Sequence, residues 1–409
     1  MRKRMSPIVL LSLSLLGVGC SDDENTASTQ PADETNGDVE TTTSTTINNC
    51  TLSTPLRIGY AADLGSLGAP SDQPGSEAAQ VMIDKINEAG GVGGLPVEYV
   101  VKDIEGDPAA VQLAAQELLD DGVNALIGPR FASTGTPLLD TVDGQAPVIF
   151  MASTDPALAD PSRGAFLGGF TDPVQSSAMA EWTLSQGRLT AITFSSSDDR
   201  YFSSNTEYFT TVFEEGGGTV LADYPYSLAD NDFSTQVNEI AALSETPDVL
   251  FTAMEMPQME VLLEQLDTAD LGAIKVLGLD GLDATVLWTA GDTANGVYFA
   301  THTFPLETNG VAQFLADTQD AGVDSRTISF RAIAADAVQI LAAAATQACS
   351  VAAADLIATI DGLQNLPVTT GTVTYAGTGG VPESDVVILS IAFGVPTFVT
   401  AFRPSNIPS

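Results

Sequence analysis

The sequence predicts an α/β protein of two units, each built around a parallel sheet, and three observations carry that expectation. Between residues 56 and 301, short apolar runs alternate with longer stretches of helical period, the pattern of strand–crossover–strand units. The alternation restarts after Asp172. Three more helical stretches follow residue 302, beyond what the second unit needs, so the chain is expected to return there to the first. Crossovers between parallel strands are right-handed.

In order, a strand is expected at 56–61, then a Gly/Ser/Pro loop at 65–75 and a helix at 76–89 with Ala79, Met82, Ile83 and Ile86 on one face. The glycine-rich run 90–94 stops it, and a strand follows at 95–101. Asp107 and Pro108 serve as N-cap and first-turn proline for a helix at 109–121. Strands at 125–127 and 148–151 each stop at a loop of small and hydroxyl residues, Ala132-Ser133-Thr134-Gly135 and Ala152-Ser153-Thr154-Asp155. In the second unit the strands fall at 189–194, 219–226, 248–253, 275–279 and 297–301. Helices fall at 174–186, 201–215, 233–243, 257–269 and 282–290. Helices at 310–321, 330–348 and 353–361 precede β-like runs at 372–375, 386–393 and 397–402.

The first 20 residues are not part of the fold. Arg2, Lys3 and Arg4 precede an apolar run from Ile8 to Leu16 that is too short to span a bilayer, and Gly17-Val18-Gly19-Cys20 follows. That is a secretory leader, and a cysteine directly after small residues marks Cys20 for lipidation; the alternative is ordinary cleavage nearby. Residues 21–54 are Ser, Thr, Asp, Glu and Asn with almost no apolar side chain, a disordered tether. An exported, membrane-anchored lipoprotein facing the periplasm or cell exterior is expected. With Cys20 set aside, Cys50 and Cys349 are an even pair in an oxidising compartment, which suggests a disulfide.

The formal charge is −39. Setting aside the three basic leader residues and the seven acids of 22–40 leaves 46 acids against 11 bases for the rest. Such a surface repels nucleic acid and anionic membrane faces. It serves general solubility in the exported space, or suits a saline habitat, given only four lysines in the chain.

The two hydroxyl loops are the first candidate site. In an open parallel sheet, ligands sit beyond the carboxyl ends of the strands. Helix N-termini there favour an anion, with Ser and Thr adding hydrogen bonds. The pair would seat a carboxylate, although each loop alone could be no more than a helix cap. Arg130, just before the first loop, could reach an anion but reads more readily as a solvated loop arginine, and His302, the one histidine, reads as structural.

Several patterns then match one family. They are Leu56-Arg57-Ile58-Gly59, the block from Ile86 to Pro96 (INEAGGVGGLP), the DIEGDP run from Asp103 to Pro108, and Gly122 to Pro129 (GVNALIGP). Asp232-Phe233-Ser234, Pro247 to Leu250 (PDVL) and Ala290 to Val297 (AGDTANGV) follow in order. Together they resemble the branched-chain amino-acid (Leu/Ile/Val) substrate-binding proteins of ABC importers, of the type I periplasmic-binding fold. The resemblance covers about residues 54–403. It implies two Rossmann-like lobes with parallel sheets joined by a three-strand hinge, lobe 1 at 55–171 plus 303–380 and lobe 2 at 172–302 plus 381–409. It also implies a ligand buried between closing lobes. The family's carboxylate loops fall near Ala132, Ser133 and Thr134, and on Ala152, Ser153 and Thr154. Its ammonium-binding acid falls on Asp280 in Gly278-Leu279-Asp280-Gly281, its closing aromatic on Tyr201, and a lobe-2 tyrosine on Glu255, which could bind a second cationic group or face water.

The expected function is therefore a solute-binding lipoprotein for an amino acid or similar small carboxylate. Its partners would be ABC permease and ATPase subunits, with the membrane reached through the lipid anchor only, and it would act as a monomer. The alternative is a sensor of the same fold that signals to a membrane receptor. An enzyme is not expected: there is no Gly-x-Ser-x-Gly elbow, phosphate-binding loop or metal-ligand spacing, and a single histidine. No cofactor and no metal are expected.

Overall fold

The computed structural model describes residues 50–283, 291–323 and 327–408. The leader, Cys20, most of the tether and the body of the helix expected at 282–290 lie outside the described residues.

The first sheet is formed by β1 (Arg57–Ala62), β2 (Glu98–Asp103), β3 (Ala125–Gly128), β4 (Val148–Phe150) and β5 (Ala165–Leu167). All are parallel, in the order β2-β1-β3-β4-β5. Helices α1 (Ala69–Glu88), α2 (Pro108–Asp120) and α3 (Ala132–Val142) connect its strands. The second half supplies α4 (Asp172–Ser185), β6 (Thr190–Ser195), α5 (Arg200–Glu215), β7 (Thr219–Pro225), α6 (Ser234–Ala241), β8 (Val249–Thr252), α7 (Gln258–Thr268), β9 (Lys275–Gly278) and β10 (Tyr298–Thr301). Then come α8 (Val311–Asp320), α9 (Ser329–Ala348), α10 (Ala353–Asp361), the hairpin β11 (Leu366–Val368) and β12 (Gly371–Val373), and finally β13 (Val386–Ala392) and β14 (Val395–Phe402). The second sheet runs β14-β13-β10-β9-β8-β6-β7, with β6 to β10 parallel and β13 and β14 antiparallel.

Each strand divides its side chains between two cores, as the two-residue period of a strand requires. On the first sheet Ile58, Tyr60, Ile127, Ile149 and Phe166 face one cluster. Ala61, Leu126, Val148, Phe150 and Leu167 face the other, with residues of α2 and α3. The first cluster is completed by α1 and by Phe330, Ile333, Val338 and Leu341 of α9. After β10 the chain packs α9 against the first sheet. Tyr375 fixes the return by donating its hydroxyl to the Leu167 carbonyl at 2.6 Å. Crossing to α4, to α8 and to β13, the chain passes between the lobes three times.

Several expectations shift. The loop expected at 65–75 is largely helix, because α1 starts at Ala69. Pro70 sits in its first turn, where a missing N–H costs nothing. Asp72 accepts the Asp63 N–H at 3.0 Å and the Tyr60 hydroxyl at 3.3 Å, pinning that turn to β1. Gly75 allows the close approach: a Cβ there would lie 2.3 Å from Met151 Cε. The folded body begins before residue 55, since Leu52 is buried and Cys50 is disulfide-bonded to Cys349, Cα–Cα 5.3 Å. The three-residue strands β5 and β11 had no sequence-based expectation. No single described helix is long and apolar enough to cross a membrane.

Candidate functional site

Each lobe reverses its strand order at one place, between β2 and β3 around β1, and between β7 and β8 around β6. Crevices at such reversals are where open α/β sheets bind ligands. Arg130 follows β3, Ser153 and Thr154 follow β4, Tyr201 opens α5 after β6, Glu255 follows β8 and Asp280 follows β9. These strand ends meet in one buried polar centre.

Its middle is an ion pair across the lobes. Arg130 and Glu255 are 4% and 7% exposed. The guanidinium donates Nη1 to Glu255 Oε2 at 3.1 Å and Nη2 to Oε1 in a second, shorter bond. It also lies over three aromatic rings, 4.7 Å from Phe131, 5.3 Å from Tyr201 and 5.6 Å from Phe330. A solvated Arg130 is thus corrected: it is buried, because a lobe-2 carboxylate 125 positions away reaches it. Burial works to lower the Arg130 pKa, yet the facing Glu255, Asp280 and Tyr201 raise it above the ordinary guanidinium value. Burial pushes Glu255 up, against the attraction of Arg130. Removing one member of such a pair costs about 3–5 kcal/mol. Gly281 makes room for it, as a Cβ would lie 2.1 Å from Glu255 Oε1 and 2.8 Å from Arg130 Nη2.

Behind this pair, Tyr201 donates its hydroxyl to Asp280 Oδ1 at 2.7 Å. Asp280 Oδ2 has no hydrogen bond and stands 3.5 Å from His302 Nε2. Burial works to raise Asp280, but His302, Arg130 and Tyr201 hold it below the usual carboxylate range. His302 stacks on Phe170, ring centroids 4.1 Å apart.

On the lobe-1 side, Thr154 Oγ1 donates to Asp172 Oδ1 at 2.6 Å, and Asp172 N donates back to the Thr154 carbonyl at 2.7 Å. Asn205 Nδ2 and Gln175 Nε2 donate to the same Oδ1 at 2.8 and 3.1 Å. Burial nevertheless pushes Asp172 up to about 7. Between these groups lies a cavity of about 10 Å³, the space of one water, walled by Arg130, Phe131, Ala132, Ser153, Thr154, Asp155, Asp172, Asp199 and Tyr201.

Of the residues singled out in the sequence, Ser153, Thr154 and Tyr201 line the cavity. Glu255 and Asp280 sit behind Arg130 and Tyr201 rather than in the wall. Ser133 is exposed, Thr134 turns its hydroxyl to the Phe131 carbonyl at 3.0 Å, and Ala152 packs in the core of the first lobe. Ala132 is the residue of the first loop that reaches the cavity. Asp172 was missed: it carries no motif, and its role comes from three donors gathered from three elements. Among the described residues no group of three or more histidines, cysteines or acids is placed to hold a metal ion.

The sequence matches the model of the periplasmic binding protein family over residues 55–394. The chain belongs to that family. This periplasmic binding protein is 28% identical over 332 residues to the Leu/Ile/Val-binding protein BraC3 of Rhizobium johnstonii, covering 79% of this chain and 88% of the relative. It is 25% identical to Leu/Ile/Val-binding protein homolog 3 of Brucella melitensis, over 81% of this chain and 90% of that one. Its fold is shared with the branched-chain amino acid transporter substrate-binding protein of Streptococcus pneumoniae solved with isoleucine, TM-score 0.78 at 18% identity, covering 86% and 100% of the two chains. A solute-binding protein of R. palustris solved with benzoate gives a TM-score of 0.76 at 17% identity, covering 87% and 98%. These relatives are solute-binding proteins, not enzymes.

Proposed function

We propose that this protein is the extracytoplasmic solute-binding component of an ABC importer, held at a membrane by lipid on Cys20, and that it binds an amino acid or similar small carboxylate between its lobes. The carrying observation is that strand-end loops of both lobes converge on one buried polar centre bridged by Arg130 and Glu255. Ligands named with two of its structural neighbours, isoleucine and benzoate, have a carboxylate in common.

The groups around the cavity suit that chemistry. Ser153 offers a hydroxyl and Arg130 offers N–H groups from lobe 1, while Tyr201 closes from lobe 2. A charge entering this dry space must be paired, so the solute contributes contacts available only when both lobes surround it. That differential contact is what shifts an open–closed equilibrium. The closed form is then the one a permease receives, with its ATPase subunits behind, and one chain suffices for the site.

A thermal-shift screen of the purified protein against amino acids, small amides and aromatic acids tests this. A saturable rise is expected with at least one carboxylate, about 2.7 kcal/mol of stabilisation at a hundredfold excess over Kd. No rise with any carboxylate would remove the proposal.

A further inference from the structure

His302 is the one histidine of the chain, and it sits where two of the chain crossings touch. It follows β10 at the crossing toward α8, and its ring stacks on Phe170, which precedes α4 at the first crossing, with centroids 4.1 Å and planes 13° apart. Gly169 lets the ring in, since a Cβ there would lie 2.5 Å from His302 Nδ1. The imidazole is 3% exposed, and its Nε2 faces Asp280 Oδ2 at 3.5 Å. Asp280 is fully buried, and that oxygen has no hydrogen bond. Its other oxygen accepts the Tyr201 hydroxyl at 2.7 Å, and the Tyr201 oxygen accepts the Gly281 N–H at 3.3 Å. Tyr201 in turn stands in the cavity wall, its ring 5.3 Å from the Arg130 guanidinium.

We propose that His302 is a positioning residue of the solute site: through Asp280 it fixes the Tyr201 hydroxyl in the cavity wall, and it ties that wall to the hinge. This rests on the reading of the cavity as a solute site and adds to that site a residue that does not line it. A buried carboxylate is costly unless donors meet its oxygens. Tyr201 meets one oxygen of Asp280. At the other, the imidazole is the group in reach, and an imidazole in either charge state can present an N–H at Nε2. Arg130 does not replace it there, because its two Nη atoms are turned to Glu255. Without His302, Asp280 is free to turn about its side-chain bonds, and Tyr201 loses the acceptor that sets its hydroxyl. The stack on Phe170 adds the second part. A change of hinge angle that moves Phe170 reaches Tyr201 through a short chain of packed groups, Phe170 to His302 to Asp280.

The first test needs no solute. Because the chain has a single histidine, protein labelled in the histidine ring gives one Cε1 resonance in a proton–carbon spectrum. Tyr201→Phe, which removes the hydroxyl and keeps the ring, should move that resonance, since the two side chains share Asp280. Tyr99→Phe, in the first lobe, should leave it in place. A resonance that does not respond to Tyr201→Phe would overturn the inference. The second test titrates isoleucine and benzoate calorimetrically. His302→Phe keeps a ring against Phe170 and removes the N–H. It should weaken whichever acid binds by about tenfold, the scale of a hydrogen bond to a charged group, without lowering the melting temperature. His302→Gln, which brings back an N–H, should recover part of the loss. In the double variant His302→Phe with Tyr201→Phe the two losses should not add. Wild-type affinity in His302→Phe, or additive losses in the double variant, would overturn the inference while leaving the carboxylate reading intact. If neither acid binds the wild-type protein, the carboxylate reading loses its support, and the resonance still decides whether His302 acts on Tyr201.

Discussion

At the scale of single residues, the site is a set of carboxyl groups pushed in opposite directions by their surroundings. Burial raises Asp72, Asp172 and Asp336 each from 3.8 to about 7, outweighing the hydrogen bonds they accept. A carboxyl raised on folding contributes stability that is complete below its unfolded value and is lost as pH rises through its folded value. The melting temperature should therefore fall between about pH 4 and about pH 7. Asp336→Asn, which keeps one acceptor and adds one donor toward Thr370, should flatten part of that slope in a melting series. An unchanged slope would remove Asp336 from the account. Gly281→Ala should cost about 1–3 kcal/mol, because the new methyl meets the Arg130–Glu255 pair; chemical denaturation measures it. Legibility at this scale was uneven. Thr154 and Tyr201 were visible as a hydroxyl loop after a strand and an aromatic opening a helix. The burial of Arg130 was not, because it depends on a partner 125 residues away and leaves no local pattern. Ala132, Ser133 and Thr134 form the first turn of α3, which brings only Ala132 of the three to the cavity.

At the scale of elements, hydrophobic period was informative where segments are long. The α9 helix, with fifteen of its residues buried, was legible as a helix from its long apolar period. Three-residue strands carry too little periodicity to stand out, which is why β5 and β11 were not anticipated. The first turns of α1 were hidden by Pro70 and Pro74, residues that favour loops in isolation and are held helical here by Asp72. The Cys50–Cys349 bond ties the first described residue to the end of α9 across a separation of 299 residues. Cross-links that close long loops restrict the unfolded chain, typically by 2–4 kcal/mol. Reduction should lower the denaturation midpoint by that amount, and Cys50→Ser with Cys349→Ser should reproduce the loss without reductant. Equal midpoints in oxidised and reduced protein would show that the bond does not form.

At the scale of the whole molecule, two lobes with separate cores are held together by three chain crossings and by contacts made through the site itself. Arg130, Phe131 and Thr154 follow strands of the first sheet, and Tyr201, Glu255 and Asp280 follow strands of the second. On the proposed function, the same atoms decide closure and selectivity, and a solute that changes one changes the other. The strongly acidic composition acts on a different level: a surface of that charge repels nucleic acid and anionic membrane faces. The central claim is that the space between the lobes is where solute binds. Calorimetric titration of the strongest carboxylate from the thermal screen, against wild type and Ser153→Ala, tests it most directly, since Ser153 lines the cavity. A loss of roughly 1.5–3 kcal/mol in binding is expected in the variant, the scale of a hydrogen bond to a charged group. Wild-type affinity in a folded Ser153→Ala protein would contradict the claim.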